Sequence, residues 1–261
     1  MDAGLTGKVT LVLGGAGGLG RAMGRALARE GARVVLGDRD ADGVTAAAAQ
    51  ITDQGGRALP LTWDLSDLNQ IDSHVTTIEK HWGPVDVLVN NTGGPAPAPV
   101  TGISAQAWQE AFGFMVLPVI GITDRVLPAM RSAGWGRIIT STSSGVVAPI
   151  PNLGVSNTLR AALLGWSKTL AAEEAAHGIT VNVLAPGRIG TARTTSLDKK
   201  RAEREGTTVA EVHAASTASI PVGRYGDPDE YAAAATFLAS TAASYITGSV
   251  LRVDGGYIRS I

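Results

Sequence analysis

The chain has 261 residues with 22 basic and 23 acidic side chains, a net charge of −1 and no block of like charge. That balance excludes the basic footprint of a nucleic-acid or anionic-membrane binder and points to a small-molecule substrate. With no cysteine, disulfides, thiolate nucleophiles and cysteine-ligated zinc or iron–sulfur sites are excluded, and a reducing, cytoplasmic setting fits. Residues 1–8 carry no basic-then-apolar leader and the apolar runs are short, so a soluble, unexported protein with no membrane span is expected.

In chain order, residues 8–13 form a Val- and Leu-rich run that ends in a glycine cluster, and a helical pattern follows over 18–29. The unit recurs at 33–37 with 41–53, at 58–62 with 67–82, and at 85–89 with one long helix over 107–132. Strands at 136–141 and 179–184 flank a helix over 153–176, and 250–253 reads as a last strand. Short buried strands alternating with helices need crossover connections, which produce a parallel sheet. The expected fold class is therefore α/β, a doubly wound parallel sheet with helices on both faces, forming a single domain over 1–261.

Two stretches depart from this rhythm. Pro118 lies inside the 107–132 helix and cannot donate to the Phe114 carbonyl, which predicts a kink or a freed carbonyl able to hold a water near Met115. Residues 187–220 carry one charged helical segment, 197–205, and a Gly-Thr-Thr turn. Because they follow the carboxyl end of a strand, where open α/β sheets bind ligands, they are expected to form a flexible substrate flap. Arg201, Arg204 and His213 of this flap either meet an anionic group or face water, and His213 is a conceivable acid/base. No spacing of His, Asp and Glu suggests a metal site.

The first strand runs into Gly14-Gly15-Ala16-Gly17-Gly18-Leu19-Gly20 at the start of a helix, where missing side chains let phosphates reach outward-pointing backbone N–H groups. Asp38, eighteen residues beyond Gly20 at the end of the second strand, is placed to accept the ribose hydroxyls of an adenosine. Its charge would repel a 2′-phosphate, whereas the adjacent Arg39 would attract one, so the charge argument favours NAD over NADP.

With these motifs in this order, the chain resembles the short-chain dehydrogenase/reductase family over nearly its whole length. The spacing of Gly14, Gly18 and Gly20 looks like the family's cofactor fingerprint, with Leu13 where a Thr is usual. Asp64-Leu65 is similar to its adenine-binding pair, and Asn90-Asn91-Thr92-Gly93 to its Asn-Asn-Ala-Gly strand end. Pro186-Gly187 with Ile189 and Thr191 is similar to the nicotinamide-side loop, and residues 252–256 to the C-terminal strand. The resemblance implies a Rossmann fold and symmetric homodimers or homotetramers built on the long helices and the last strand.

The resemblance also implies a Ser, a Tyr thirteen residues later, a Lys four beyond it and an upstream Asn. The Ser polarises a carbonyl, the Tyr is the general acid/base, and the Lys lowers the Tyr pKa and binds ribose. Aligning the strand 136–140 places the Ser at Ser143, but Ser156 at the Tyr position, Arg160 at the Lys position and Met115 at the Asn position. An aliphatic hydroxyl is far less acidic than a phenol of pKa about 10, and an arginine cannot shuttle protons. Ser143 either polarises a substrate or satisfies nearby backbone, and Arg160 either contacts a cofactor or anionic substrate or forms an ion pair. The other tyrosines, Tyr225, Tyr231, Tyr245 and Tyr257, are distant in sequence.

The chain is thus similar to a β-ketoacyl-carrier-protein-reductase-like subgroup with an Asn-Thr-Gly-Gly-Pro loop and a Ser-Asn-x-x-Arg segment. The expected function is a divergent NAD(P)-dependent oxidoreductase acting on an alcohol or carbonyl through an atypical proton relay. The alternatives are a non-redox enzyme of lyase or dehalogenase type, or an inactive NAD(H)-binding protein.

Overall fold

The computed structural model describes residues 2–260. Its seven strands are β1 (Val9–Leu13), β2 (Arg33–Asp38), β3 (Arg57–Thr62), β4 (Val87–Asn91), β5 (Gly136–Ser141), β6 (Ile179–Pro186) and β7 (Val250–Val253). They form one sheet in the order β3-β2-β1-β4-β5-β6-β7, every pair parallel. Chain order reverses between β1 and β4, so the carboxyl ends of these two strands frame the crevice where such sheets take their ligands.

The helices α1 (Gly18–Arg29), α2 (Ala41–Asp53), α3 (Gln70–Trp82), α4 (Ala105–Met115), α5 (Leu117–Ala133) and α6 (Gly154–Glu174) are followed by α7 (Ala192–Glu205), α8 (Val209–Ala218) and α9 (Pro228–Ala239). Successive strand side chains serve opposite faces. Val12, Val34 and Leu36 pack under α1, α2 and α9 with Leu27, Ile51 and Ala235, whereas Leu11, Leu13 and Val35 pack under α3, α5 and α6 with Ile78, Ile122 and Leu170. Burial on both faces is why these strands are continuous apolar runs rather than alternating ones.

The long helix expected over 107–132 is two helices, α4 and α5, parted at Val116. Pro118 is the second residue of α5, a position where its missing N–H costs nothing, and so it marks the start of a helix rather than a kink within one. An 18-residue window of 105–133 reaches a mean hydropathy of 1.4, a range that counting single apolar runs missed. Half of that window is buried in the fold, and the break at Val116 divides the stretch it lies in.

Where irregular chain around one charged segment was expected, the flap is a helical hairpin, α7 and α8. Asp198, Ala202, Val212 and Ser216 are buried in it. Helix α9 was not anticipated. Both missed helices are alanine-rich and carry little apolar periodicity, yet each opens with a capping box, Thr208 with Glu211 and Asp227 with Glu230.

Candidate active site

The glycine loop owes its shape to three positions. Gly14 has a φ of +65°, the left-handed region that glycine adopts without strain. A Cβ on Gly20 would stand 2.0 Å from the Gly14 carbonyl oxygen, and one on Gly18 would stand 2.8 Å from Cγ2 of Thr191. No side chain caps α1, so the amides of Gly18, Leu19 and Gly20 at its first turn are left for an anion. The loop is tied to its neighbours by Asn91, whose Nδ2 donates to the Leu13 carbonyl (3.2 Å), and by Asp38, whose carboxylate accepts from the Ala16 amide (3.1 Å) and the Asp40 amide (3.1 Å).

Asp38 thus sits at the tip of β2 against the loop, with Arg39 exposed beside it. Asp64 accepts from the Ser66 amide (2.9 Å) and hydroxyl (2.7 Å), which hold its carboxyl below the usual carboxylate range. Leu65 next to it is half-buried. On the far side of the crevice, the Gly187 amide donates to the Val253 carbonyl (2.9 Å) just past Pro186, and buried Ile189 bridges to Gly226. Thr191 caps α7 and faces Gly18, so the two loops meet across the sheet's switch point.

Arg160 projects from α6 with 8% of its surface exposed and draws three carbonyls together: Ser141 (3.2 Å), Thr92 (3.0 Å) and Gly93 (3.0 Å). It therefore joins the tips of β4 and β5. Burial pushes its guanidinium down to about 10, so it stays charged at neutral pH. Ser156, one turn earlier on α6, is nine-tenths buried. Ser143 begins the 3-10 turn Ser144–Val146, and its Oγ accepts from the Gly145 amide (3.0 Å). Asn157, which the spacing argument did not select, approaches the same turn: a Gly145 Cβ would lie 2.4 Å from its Oδ1.

Four candidates fare differently. Met115 is fully buried in an apolar seam with Ala111, Val155, Leu159 and Leu163. It packs α4 against α6, and its thioether brings no N–H or O–H to the position where a catalytic residue was expected. His213 is exposed and its ring lies 4.6 Å from that of Tyr225. Arg201 and Arg204 both pair with Glu205 on the surface of α7.

Proximity brings one tyrosine in from far along the chain. Tyr231 on α9 is fully buried, donates to the Leu184 carbonyl (3.1 Å) and shares a hydrogen bond with the Ser141 hydroxyl (2.8 Å). Fully buried, with its hydroxyl committed to Leu184 and Ser141, it serves as a structural strut, and burial pushes its phenol above the ordinary tyrosine range. Tyr225 donates to Asp198 (2.8 Å), which also pairs with Arg188, locking the hairpin to the loop after β6. Only a tertiary structure joins these three.

This constellation of loops agrees with what the sequence matches. The profile of the family described as enoyl-(acyl carrier protein) reductase covers residues 14–258. The chain is 35% identical over 254 residues to the 3-oxoacyl-(acyl-carrier-protein) reductase FabG of Vibrio harveyi, covering 97% of this chain and 98% of that one. The chain belongs to the short-chain dehydrogenase/reductase family. Another of the short-chain dehydrogenases/reductases it matches is FabG of Escherichia coli strain K12, at 36% identity over 252 residues, 96% of this chain and 97% of that one. Among solved structures, L-sorbose reductase from Gluconobacter frateurii complexed with NADPH and L-sorbose superimposes with a TM-score of 0.94 at 31% identity, covering 100% of both chains. An actinorhodin polyketide ketoreductase with NADPH gives 0.92 at 30% identity, covering 96% and 97%.

Proposed function

We propose that the protein is an NAD(P)-dependent oxidoreductase that interconverts a carbonyl and an alcohol through a proton relay without the family's Tyr and Lys. The observation that carries this reading is an uncapped, glycine-lined helix start after β1 and Ser143 after β5, both at the carboxyl edge of the sheet with β4 between them. A nicotinamide dinucleotide, when bound, supplies or takes the hydride. The amides of Gly18, Leu19 and Gly20 hold its phosphates and Asp38 accepts its adenosine ribose hydroxyls, with Asp64, Leu65 and Asn91 to Gly93 lining the adenine side and strand tip. Pro186, Gly187, Ile189 and Thr191 line the nicotinamide side.

The Ser143 hydroxyl already accepts the Gly145 N–H. Its own proton is not used by that bond and is available to donate, and accepting a bond strengthens it as a donor to a carbonyl oxygen. The reduction would consume one proton from bulk solvent in addition to the hydride, and that proton would end on the former carbonyl oxygen. Ser156 and Arg160 stand one turn apart on α6 behind it, and the cationic guanidinium stabilises the developing alkoxide without giving up its proton.

We assign NAD(H) rather than NADP(H) on the Asp38 carboxylate, although the two neighbours above carry NADPH in their crystals. Two unit charges about 4 Å apart repel by roughly 4 kcal/mol at an effective dielectric of 20, and solvent at this half-exposed position reduces that. Calorimetric titration is expected to give NADH at least tenfold tighter than NADPH, with Asp38→Ser removing the difference. NADH oxidation over a panel of ketones and aldehydes is expected to fall at least 100-fold in Ser143→Ala. Binding without any turnover would favour an NAD(H)-sensing protein, a reading consistent with Tyr231 being sealed in the core. No binding of either nucleotide would reject the proposal.

A further inference from the structure

Arg193 has no part in the reading above. It is the second residue of α7, and its guanidinium lies over the loop that follows β4, where Nη2 donates to the Pro95 carbonyl (3.0 Å). The same nitrogen stands 3.3 Å from the point a Gly94 Cβ would occupy, and Nη2 of Arg160 stands 3.6 Å from that point. Two cations therefore converge on one glycine. Among the described residues, the hydrogen bonds of both run to backbone carbonyls and none to a carboxylate. The ionisable groups acting on Arg160 are Tyr231 and Arg193, the second of the same sign.

The contrast with Arg137 shows what is missing. Arg137 is also buried, 2% exposed, and also bonds carbonyls, at Gly136, Gly178 and Ser240. Ser240, however, ends α9, where the helix dipole is negative, and the Arg137 guanidinium lies against the Trp135 ring. At Arg160 the nearby helix end is the start of α7, whose dipole is positive. A buried cation at Arg160, an exposed one at Arg193 and a positive helix end meet at one spot with no carboxylate bonded to either guanidinium, and a buried charge is ordinarily met by the opposite sign. A Cβ at Gly94 would touch both guanidinium groups, so the two cations flank this one position.

We propose that Arg193 donates to an anionic group of the substrate, a carboxylate or phosphate carried close to the carbonyl that Ser143 meets, with the Arg160 charge adding attraction from behind the strand tips, and that Arg193 determines this specificity. Short oxo acids are the substrate class. This rests on the reading of the site as one for carbonyl reduction. The nucleotide's own pyrophosphate offers the same anion chemistry, and nucleotide affinity measured without substrate separates the two sources.

The test pairs acetoacetate with methyl acetoacetate, which share a carbonyl and differ in charge. For the wild type, the KM for the acid is expected to be at least tenfold below that for the ester. Arg193→Met is expected to raise the KM for the acid at least tenfold and leave the ester almost unchanged, and Arg193→Lys to recover part of the loss. A merely structural role for the Pro95 contact would move acid and ester together. An acid-to-ester ratio equal in wild type and Arg193→Met overturns the proposal. So does a tenfold loss of nucleotide affinity in Arg193→Met without substrate, which hands the pair to the pyrophosphate. If no carbonyl is turned over, malonate is titrated into the protein with and without nucleotide. Binding that Arg193→Met abolishes supports the anion site, and binding that is absent or unaltered overturns it.

Discussion

Arg160→Met is expected to lower the melting temperature by about 5–10 °C and to reduce any turnover at least 100-fold. The guanidinium satisfies three carbonyls at the tips of β4 and β5, and a hydrogen bond to a charged group contributes about 1.5–3 kcal/mol. The variant also removes the cost of burying a cation, which offsets part of the loss. A net loss of about 2–3 kcal/mol remains, and in a chain of this size each kcal/mol moves the midpoint by about 2–4 °C. Calorimetry measures the first effect and NADH oxidation the second. An unchanged midpoint would mean that water replaces the guanidinium at no cost and that the two strand tips need no clamp.

Gly20→Ala is expected to abolish measurable nucleotide binding, at least a 100-fold loss. The added Cβ would lie 2.0 Å from the Gly14 carbonyl oxygen, which is backbone and cannot rotate away. Either α1 or the loop must move, and both define where the first-turn amides point. Gly113→Ala serves as the control. It lies inside α4 with nothing within 4 Å of its Cβ position, so it is expected to leave binding intact and to stabilise the helix by about 0.5–1 kcal/mol. Wild-type nucleotide affinity in Gly20→Ala would show that the loop holds no phosphate.

What could be read from the sequence followed from local pattern. The buried inner strands are apolar runs and the two half-buried edge strands, β3 and β7, are short apolar-rich runs, so all seven were visible, and α1 and α2 fall at the residues their periodicity indicates. The glycine loop and Asp38 were legible because their spacing is set by one strand, one turn and one helix. The helix break at Val116 was half visible, since Pro118 marked the place but was read as lying within a helix. Helices α8 and α9 have too few large apolar side chains to show a period, although the Thr208 and Asp227 capping boxes announced them.

The site's finer chemistry was not legible because it is made by chain segments far apart. Tyr231 meets Ser141 from 90 residues away, and Arg160 meets the Thr92 carbonyl across 68. Nothing near Met115 in the sequence says that its thioether closes an apolar seam; only the packing of α4 on α6 does. Arg193 is silent in the sequence for a related reason, since its partner is a carbonyl at Pro95, 98 residues earlier.

The α7–α8 hairpin also bears on the entropy of ligand capture. Ordering an unstructured segment costs about 1–2 kcal/mol for each residue fixed. Here the dihedrals of both helices are already fixed, and Asp198 ties the hairpin at once to Arg188 and Tyr225. Any swing over a bound substrate is then a rigid-body motion about a few hinge residues, and most of the binding free energy goes into affinity rather than into folding a lid. Amide exchange should accordingly find the interior of α7 protected in the ligand-free protein, and rapid exchange along the whole helix would show that the hairpin folds only upon its ligand.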